Sequence, residues 1–419
     1  MVASETVAIS IFVGYFGLII ALFSLIFYSL RKEIQTSLRS YKIWLFSFLS
    51  VASFAHTWYY MITFLLWSFE EYELRNSTKL ELSLKTRITS WLMNTALFEQ
   101  AWAAVCSRPL NWWWSEPLCL FTIGFWTIFL AIKGREHNVR YLWAYMLLGQ
   151  LVAISIASNL FYLAILSHPS SKKSRSPLWT SSRTPPVLWM STLIALGTVA
   201  ISPFTNEKTF IWNLLTMHSI IVLPLLPCGW RCSSSSSTSS ASSHSTSSPG
   251  QPRPTRTLQA DTLLKLITFS SLLIRSRTTW DAFNSTPNAH NQDLTNATLS
   301  LSLSLQKVYD FLAVAKNTLY SHPAQSSIGW DVIWTTISFL AWLCVQYVPE
   351  FTRSTSTSSP KKFLKGSGKR TLNCLLLFTC VVVETVFGSI GIGASLAVLH
   401  FEKVAAGLKG KNDVVEKIE

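Results

Sequence analysis

Long apolar runs separated by short polar breaks make up most of this chain, and the runs show no in-out alternation of period two. Runs of roughly 20 apolar residues predict helices that cross a bilayer, and the missing alternation excludes a β-barrel. Eight such spans read clearly: residues 7–30, 43–68, a segment opening at Trp112, and 141–166, 187–201, 210–226, 330–348 and 372–400. Two more are marginal. Residues 91–107 are barely long enough to cross and fit equally a segment that dips in and returns. Residues 263–274 are short, contain Lys265 and precede Arg275 and Arg277, which suits a short span or an interfacial helix. Residues 299–320 predict an amphipathic helix. The fold class is therefore all-α, a polytopic transmembrane helical bundle of about eight spans, nine or ten if the marginal segments cross.

The polar breaks set the organisation. From residue 232 to 254 the chain is almost wholly Ser, Thr, Pro and Gly, a composition that cannot bury a core and predicts disorder. This linker, 231–260, divides an N-terminal membrane region (1–230) from short apolar and amphipathic helices with a loop (261–329). C-terminal membrane helices and a charged tail follow (330–419). No internal repeat is visible, which argues against an inverted-repeat transporter. Arg31, Lys32, Arg39 and Lys42 place the first loop on the cytoplasmic side, as Lys361, Lys362, Lys365, Lys369 and Arg370 do for a later one. Strict alternation then puts the basic loop 133–140 on the lumenal side. Either 91–107 does not cross, or that loop serves something other than topology. The sequons Asn76-Ser77-Thr78, Asn284-Ser285-Thr286 and Asn296-Ala297-Thr298 suit lumenal loops, although Pro287 weakens the second. The expectation is a multi-pass, glycosylated protein of the endoplasmic reticulum.

Composition agrees. Of 419 residues, 49% are hydrophobic and 13% charged, the latter about half the soluble norm. The net charge of +14 lies in loops between spans. With no aromatic stacking platform or nucleic-acid-binding signature beside it, that charge marks topology and not nucleic acid. The seven cysteines lack paired metal spacing; Cys228 and Cys232 have no companion pair, and no metal is expected. The first apolar run lacks a basic leader and is long enough to stay as an anchor.

The candidate chemistry centres on residues 91–126, two apolar segments meeting at Arg108-Pro109-Leu110-Asn111. The first carries Glu99. An acid in an apolar setting is a functional candidate by default. It is either a carboxyl neutralised by burial and bonded to a neighbouring helix, or a proton donor held protonated by desolvation. Trp91, Thr95, Phe98 and Trp102 fall at helical spacing, with Glu99 adjoining Thr95 and Trp102. The second segment opens with Trp112, Trp113 and Trp114, then Ser115 and Glu116. The tryptophans are either interface anchors or a pocket wall whose indole faces stabilise a cation without attacking it. His56 and Tyr59 belong to the polar-aromatic cluster His56-Thr57-Trp58-Tyr59-Tyr60. Gln150, Asn159 and Tyr162 lie in the 141–166 run, where Gly149, Ser155 and Ser158 suit close helix contact. His218, Glu384 and Arg108 read more readily as packing or boundary residues. No aspartate-rich diphosphate motif, phosphate-binding glycine loop, HExxH or GxSxG is present. Metal-dependent ionisation of a diphosphate is thereby disfavoured, and acid-initiated chemistry on a neutral lipid stays open.

Three passages, Phe98-Glu99-Gln100-Ala101-Trp102, Trp112-Trp113-Trp114-Ser115-Glu116 and residues 142–150 (LWAYMLLGQ), resemble a group of fungal multi-pass proteins. The group includes the membrane-bound terpene cyclases of ascochlorin, ascofuranone and macrophorin type pathways. The likeness covers residues 45–165 and, more loosely, the last two spans. It implies closure of a prenyl chain, often epoxidised, on a small lipophilic meroterpenoid. Protonation would start a carbocation cascade in the membrane lipid, without metal or redox cofactor. On this reading Glu99 is the leading acid and Glu116 the second. Trp102, Trp112, Trp113, Tyr59 and Gln150 contact substrate, and His56 relays or accepts a proton. The rival expectation is a proton-coupled or lipid-binding membrane protein without catalysis.

Overall fold

An apolar backbone satisfies its own N–H and C=O groups most simply as helix, and almost every described residue does so. A computed structural model describes residues 2–37, 40–76, 82–167, 182–227, 258–286, 297–356, 379 and 388–415. The Ser-rich linker apart from residues 258–260, Glu384, Cys228, Cys232 and the Asn296 sequon position lie outside them. Two long helices, α1 (Val2–Ser37) and α2 (Tyr41–Arg75), lead into a broken pair, α3 (Leu84–Asn94) and α4 (Leu97–Cys106). Then come α5 (Pro109–Leu120), a π-helical turn (Phe121–Trp126) and α6 (Thr127–Glu136), followed by α7 (Leu142–Leu151) and α8 (Ile154–Ser167). The hairpin pair α9 (Pro186–Ile201) and α10 (Glu207–Ile220) precedes α11 (Ala260–Asn284), α12 (Ala297–Leu319), α13 (Pro323–Ser356) and α14 (Ile390–Val415). The described strands are two-residue β1 (Arg183–Thr184) and β2 (Leu258–Gln259), antiparallel, so the protein is all-α.

Among the described residues five helices are long and apolar enough to cross a membrane: Thr6–Gln35, Pro109–Glu136, Pro186–Phe204, Lys208–Leu225 and Pro323–Tyr347. This fits an integral membrane protein and revises the expected eight spans. The run 141–166 is two helices of 10 and 14 residues, each shorter than the roughly 20 residues a crossing needs. The run 43–68 is one helix, but Ser47, Ser50, Ser53, His56 and Thr57 dilute its apolarity. Most of 372–387 lies outside the described residues. The marginal segment 91–107 breaks at Thr95, which is extended and donates its Oγ1 to the Trp91 carbonyl at 2.6 Å.

The stretch Pro109–Glu136 runs through the middle, buried along its whole apolar window. Pro109 starts it, with Arg108 extended before it, as proline requires of its predecessor. Phe125, Trp126 and Phe129 project from the π turn and α6 and meet Phe161, Phe339 and Trp342 at centroid distances of 5.0–5.6 Å. Of the glycines near the start of α14, Gly391 serves packing. A Cβ at Gly391 of α14 would lie 2.8 Å from the backbone of Leu120 and Phe121, so only glycine allows that approach.

The break between α7 and α8 has an identifiable partner. The Asp331 carboxylate of α13 accepts from Ile154 N and Ser155 N, both at 2.8 Å. It supplies from another helix the cap that the first turn of α8 lacks in its own sequence.

Candidate functional site

Glu116 begins as a local problem created by Pro117. A helix would bond the N–H of residue 117 to the carbonyl of Trp113, and proline has no N–H to give. Arg275 of α11 supplies the missing donor: its Nη1 reaches Trp113 O at 2.7 Å and Glu116 Oε2 at 2.9 Å. Its Nε donates to Gly388 O at 2.7 Å, and the guanidinium lies 4.6 Å from the Trp113 ring centroid. The Glu116 and Arg275 side chains are 0% and 7% exposed. This is a buried ion pair tying α5, α11 and the chain before α14 together. A carboxylate held so by a guanidinium is a counter-ion and a poor proton donor. Arg275 also floors a groove of about 330 Å³ lined by Ser276, Thr279, Trp280 and Phe283.

Glu99 differs. It lies half-buried in α4, its carboxylate without a hydrogen-bond or ion-pair partner among the described residues. It lines a groove of about 310 Å³ with Thr95, Ala96, Gln100 and Ala103. That groove is open and walled by its own helix segment, and no tryptophan lines it, against the pocket-wall reading. One turn on from Glu99, α4 makes a specific contact: Trp102 meets the His218 ring edge-on at 5.2 Å. His218 Nδ1 lies 2.8 Å from Leu214 O. A carbonyl only accepts, so Nδ1 carries the proton and Nε2 is the ring's free lone pair. Gln150 donates to the carbonyl of the same His218 at 3.0 Å. Trp102 and Gln150 thus meet at His218, which the sequence favoured as a packing residue, and Glu99 makes no hydrogen bond or ion pair with it.

The remaining candidates do not join this group. His56 Nδ1 accepts from Trp334 Nε1 at 3.1 Å, and its ring lies 4.1 Å from that of Trp330, tilted by 39°. Tyr59 is 63% exposed on the outside of α2 and lines neither groove. Trp112 is buried in the core, and Trp113 donates to Thr279 Oγ1 at 3.3 Å. Trp114 donates to Ala315 O at 2.8 Å. The three tryptophans join helices and do not form one wall. Of the sequons, Asn76 is half-buried and donates its amide to Tyr72 O at 2.9 Å, and Thr286 of the second is buried.

Sequence reasoning missed Arg275 and Asp331. Arg275 looked like a flanking topology charge; the pointer to it was Pro117, four residues after an otherwise helical carbonyl. Asp331 opened a plain apolar run, and its partner was fixed only by the α7–α8 break. Among the described residues no His, Cys, Asp or Glu cluster could hold a metal ion. No family model matches this chain, and no curated protein or solved structure proves similar to it.

Proposed function

We propose that the chain is a multi-pass membrane enzyme of the endoplasmic reticulum, a terpene cyclase closing the epoxidised prenyl chain of a small meroterpenoid. The observation that carries the reading is the contrast between two acids. Arg275 occupies Glu116, while Glu99 stands on an open groove wall without an ion-pair partner among the described residues. The Glu99 carboxyl passes its proton to the epoxide oxygen and the C–O bond opens to a tertiary cation. An alkene π pair closes a C–C bond, and a C–H proton leaves to a base as a new alkene forms. His218 Nε2 is the base, beside the Trp102 indole, whose π system tolerates the cation. The sum is an isomerisation, and the proton returns from His218 to Glu99 through solvent.

The broken pair α3–α4 supports the topology this requires. If it dips in and returns on the lumenal side, the basic loop 133–140 falls on the cytoplasmic side, as its charge demands. The openness of the Glu99 groove favours a second reading, a lipid-binding or proton-coupled membrane protein without catalysis. Microsomes bearing the full chain, incubated with an epoxidised farnesyl-phenol, separate the two. Cyclised product from the wild type, lowered about 10²–10⁴-fold in Glu99→Gln, is the expected result for an essential general acid. Full activity in Glu99→Gln removes that residue from the mechanism. Folded wild type that binds prenyl-phenols and cyclises none of a panel supports the lipid-binding reading.

A further inference from the structure

Away from both grooves, α8 and α13 pack along a buried seam of polar side chains. On α8 these are Ser155, Ser158, Asn159 and Tyr162, and on α13 Asp331, Thr335, Ser338 and Trp342, each about one helical turn apart on a single face. Two contacts pin the faces together. Ser155 N donates to Asp331 Oδ1 at 2.8 Å at one end, and at the other the Tyr162 ring stacks on Trp342 at 5.6 Å and 18°. The polar residues between these points therefore face each other. All eight are 5% exposed or less. Elsewhere in the bundle several buried hydroxyls bond to their own helix, as Thr192 does to Leu188 O and Thr268 to Leu264 O, and those without a partner, such as Ser271 Oγ, stand singly and not in a facing row. In the seam, Ser158 Oγ, both amide atoms of Asn159, Tyr162 OH, Ser338 Oγ and Trp342 Nε1 have no partner among the described residues.

A buried amide with neither atom bonded costs about 1–3 kcal/mol per lost bond, so a run of such groups needs an occupant. The donor–acceptor balance identifies its chemistry. Trp342 Nε1 and the Asn159 amide nitrogen can only donate, Asn159 Oδ1 can only accept, and the hydroxyls do both. A metal cation would serve only the acceptors and an anion only the donors, whereas water serves all of them. We propose that the seam binds a file of ordered water, giving the bundle an internal hydrogen-bonded route from Asp331 to Tyr162. The inference does not depend on the cyclase reading.

X-ray hydroxyl-radical footprinting of the full chain in nanodiscs tests it, because bound water is activated in place and labels the side chains it touches. Tyr162 and Trp342 should be labelled at least tenfold faster than Phe339, which is equally buried and apolar. Asn159→Leu should cut Tyr162 labelling at least threefold and lower the melting temperature, because it breaks a satisfied network. Labelling of Tyr162 no faster than Phe339 in the unsubstituted protein overturns the proposal. A melting temperature raised by Asn159→Leu also overturns it, because that would show the amide to be an orphan in a dry core. Should Asn159→Leu fail to fold, the labelling ratio alone decides.

Discussion

Replacing Arg275 by Met should be among the most damaging single changes in this protein, for a reason that can be apportioned. The substitution keeps the length and apolar bulk of the stem and deletes the guanidinium. Three hydrogen bonds disappear, to Gly388 O, Trp113 O and Glu116 Oε2, together with the cation–π contact to Trp113. The largest consequence is an unpaired carboxylate at a fully buried position, worth about 3–5 kcal/mol. Loss of the donor to the Trp113 carbonyl, which Pro117 cannot replace, adds about 1–3 kcal/mol. The first contribution vanishes if the charge is removed too, and the second does not. Glu116→Gln with Arg275→Met should therefore be more stable than Arg275→Met alone by about 2 kcal/mol or more. Thermal unfolding of purified protein in one detergent at one scan rate reads the series. Arg275→Met should lower the midpoint by roughly 5–10 °C, with partial recovery in the double variant. Additive effects within about 0.5 kcal/mol would mean that the two side chains are not coupled, and would refute the ion-pair account.

Other outcomes follow from single contacts. Gly391→Ala should destabilise by about 1–3 kcal/mol despite the better helix propensity of alanine, because its Cβ meets backbone and not a side chain that can turn away; an unchanged midpoint would contradict the packing of α14 on the π turn. Asp331→Ala should free two buried N–H groups at the start of α8, cost about 2–4 kcal/mol and speed proteolysis around residues 151–154, with Asp331→Asn intermediate. His322, just before α13, accepts from Ala324 N and packs edge-on against Trp67, and burial pushes its imidazole below the usual pKa. The unfolded chain then binds the proton more readily. Its contribution is complete above about pH 6.5 and is lost as pH falls through the lower folded value. A midpoint that drops between pH 7 and 5 should flatten in His322→Gln; an identical slope in both proteins would exclude His322 as the source.

Apolar run length and the scarcity of charge determined from sequence alone that this is an all-α membrane protein, because a backbone in hydrocarbon has almost no alternative to helix. Proline and glycine positions were equally legible as local facts. Pro109 opens α5, Pro117 leaves a carbonyl without its donor, and Gly391 permits a close approach. Glu99 and Glu116 were visible as two acids in apolar surroundings, but their difference was not. One meets a guanidinium from a residue 159 positions away, and the other has no hydrogen-bond or ion-pair partner among the described residues. Hydropathy averages over a window and so merged α7 with α8 and α3 with α4, whose breaks depend on one carboxylate from α13 and one threonine hydroxyl. Short-range chemistry is written in neighbouring residues, whereas charge pairing, trans capping and the meeting of Trp102 and Gln150 at His218 exist only once distant helices are packed together.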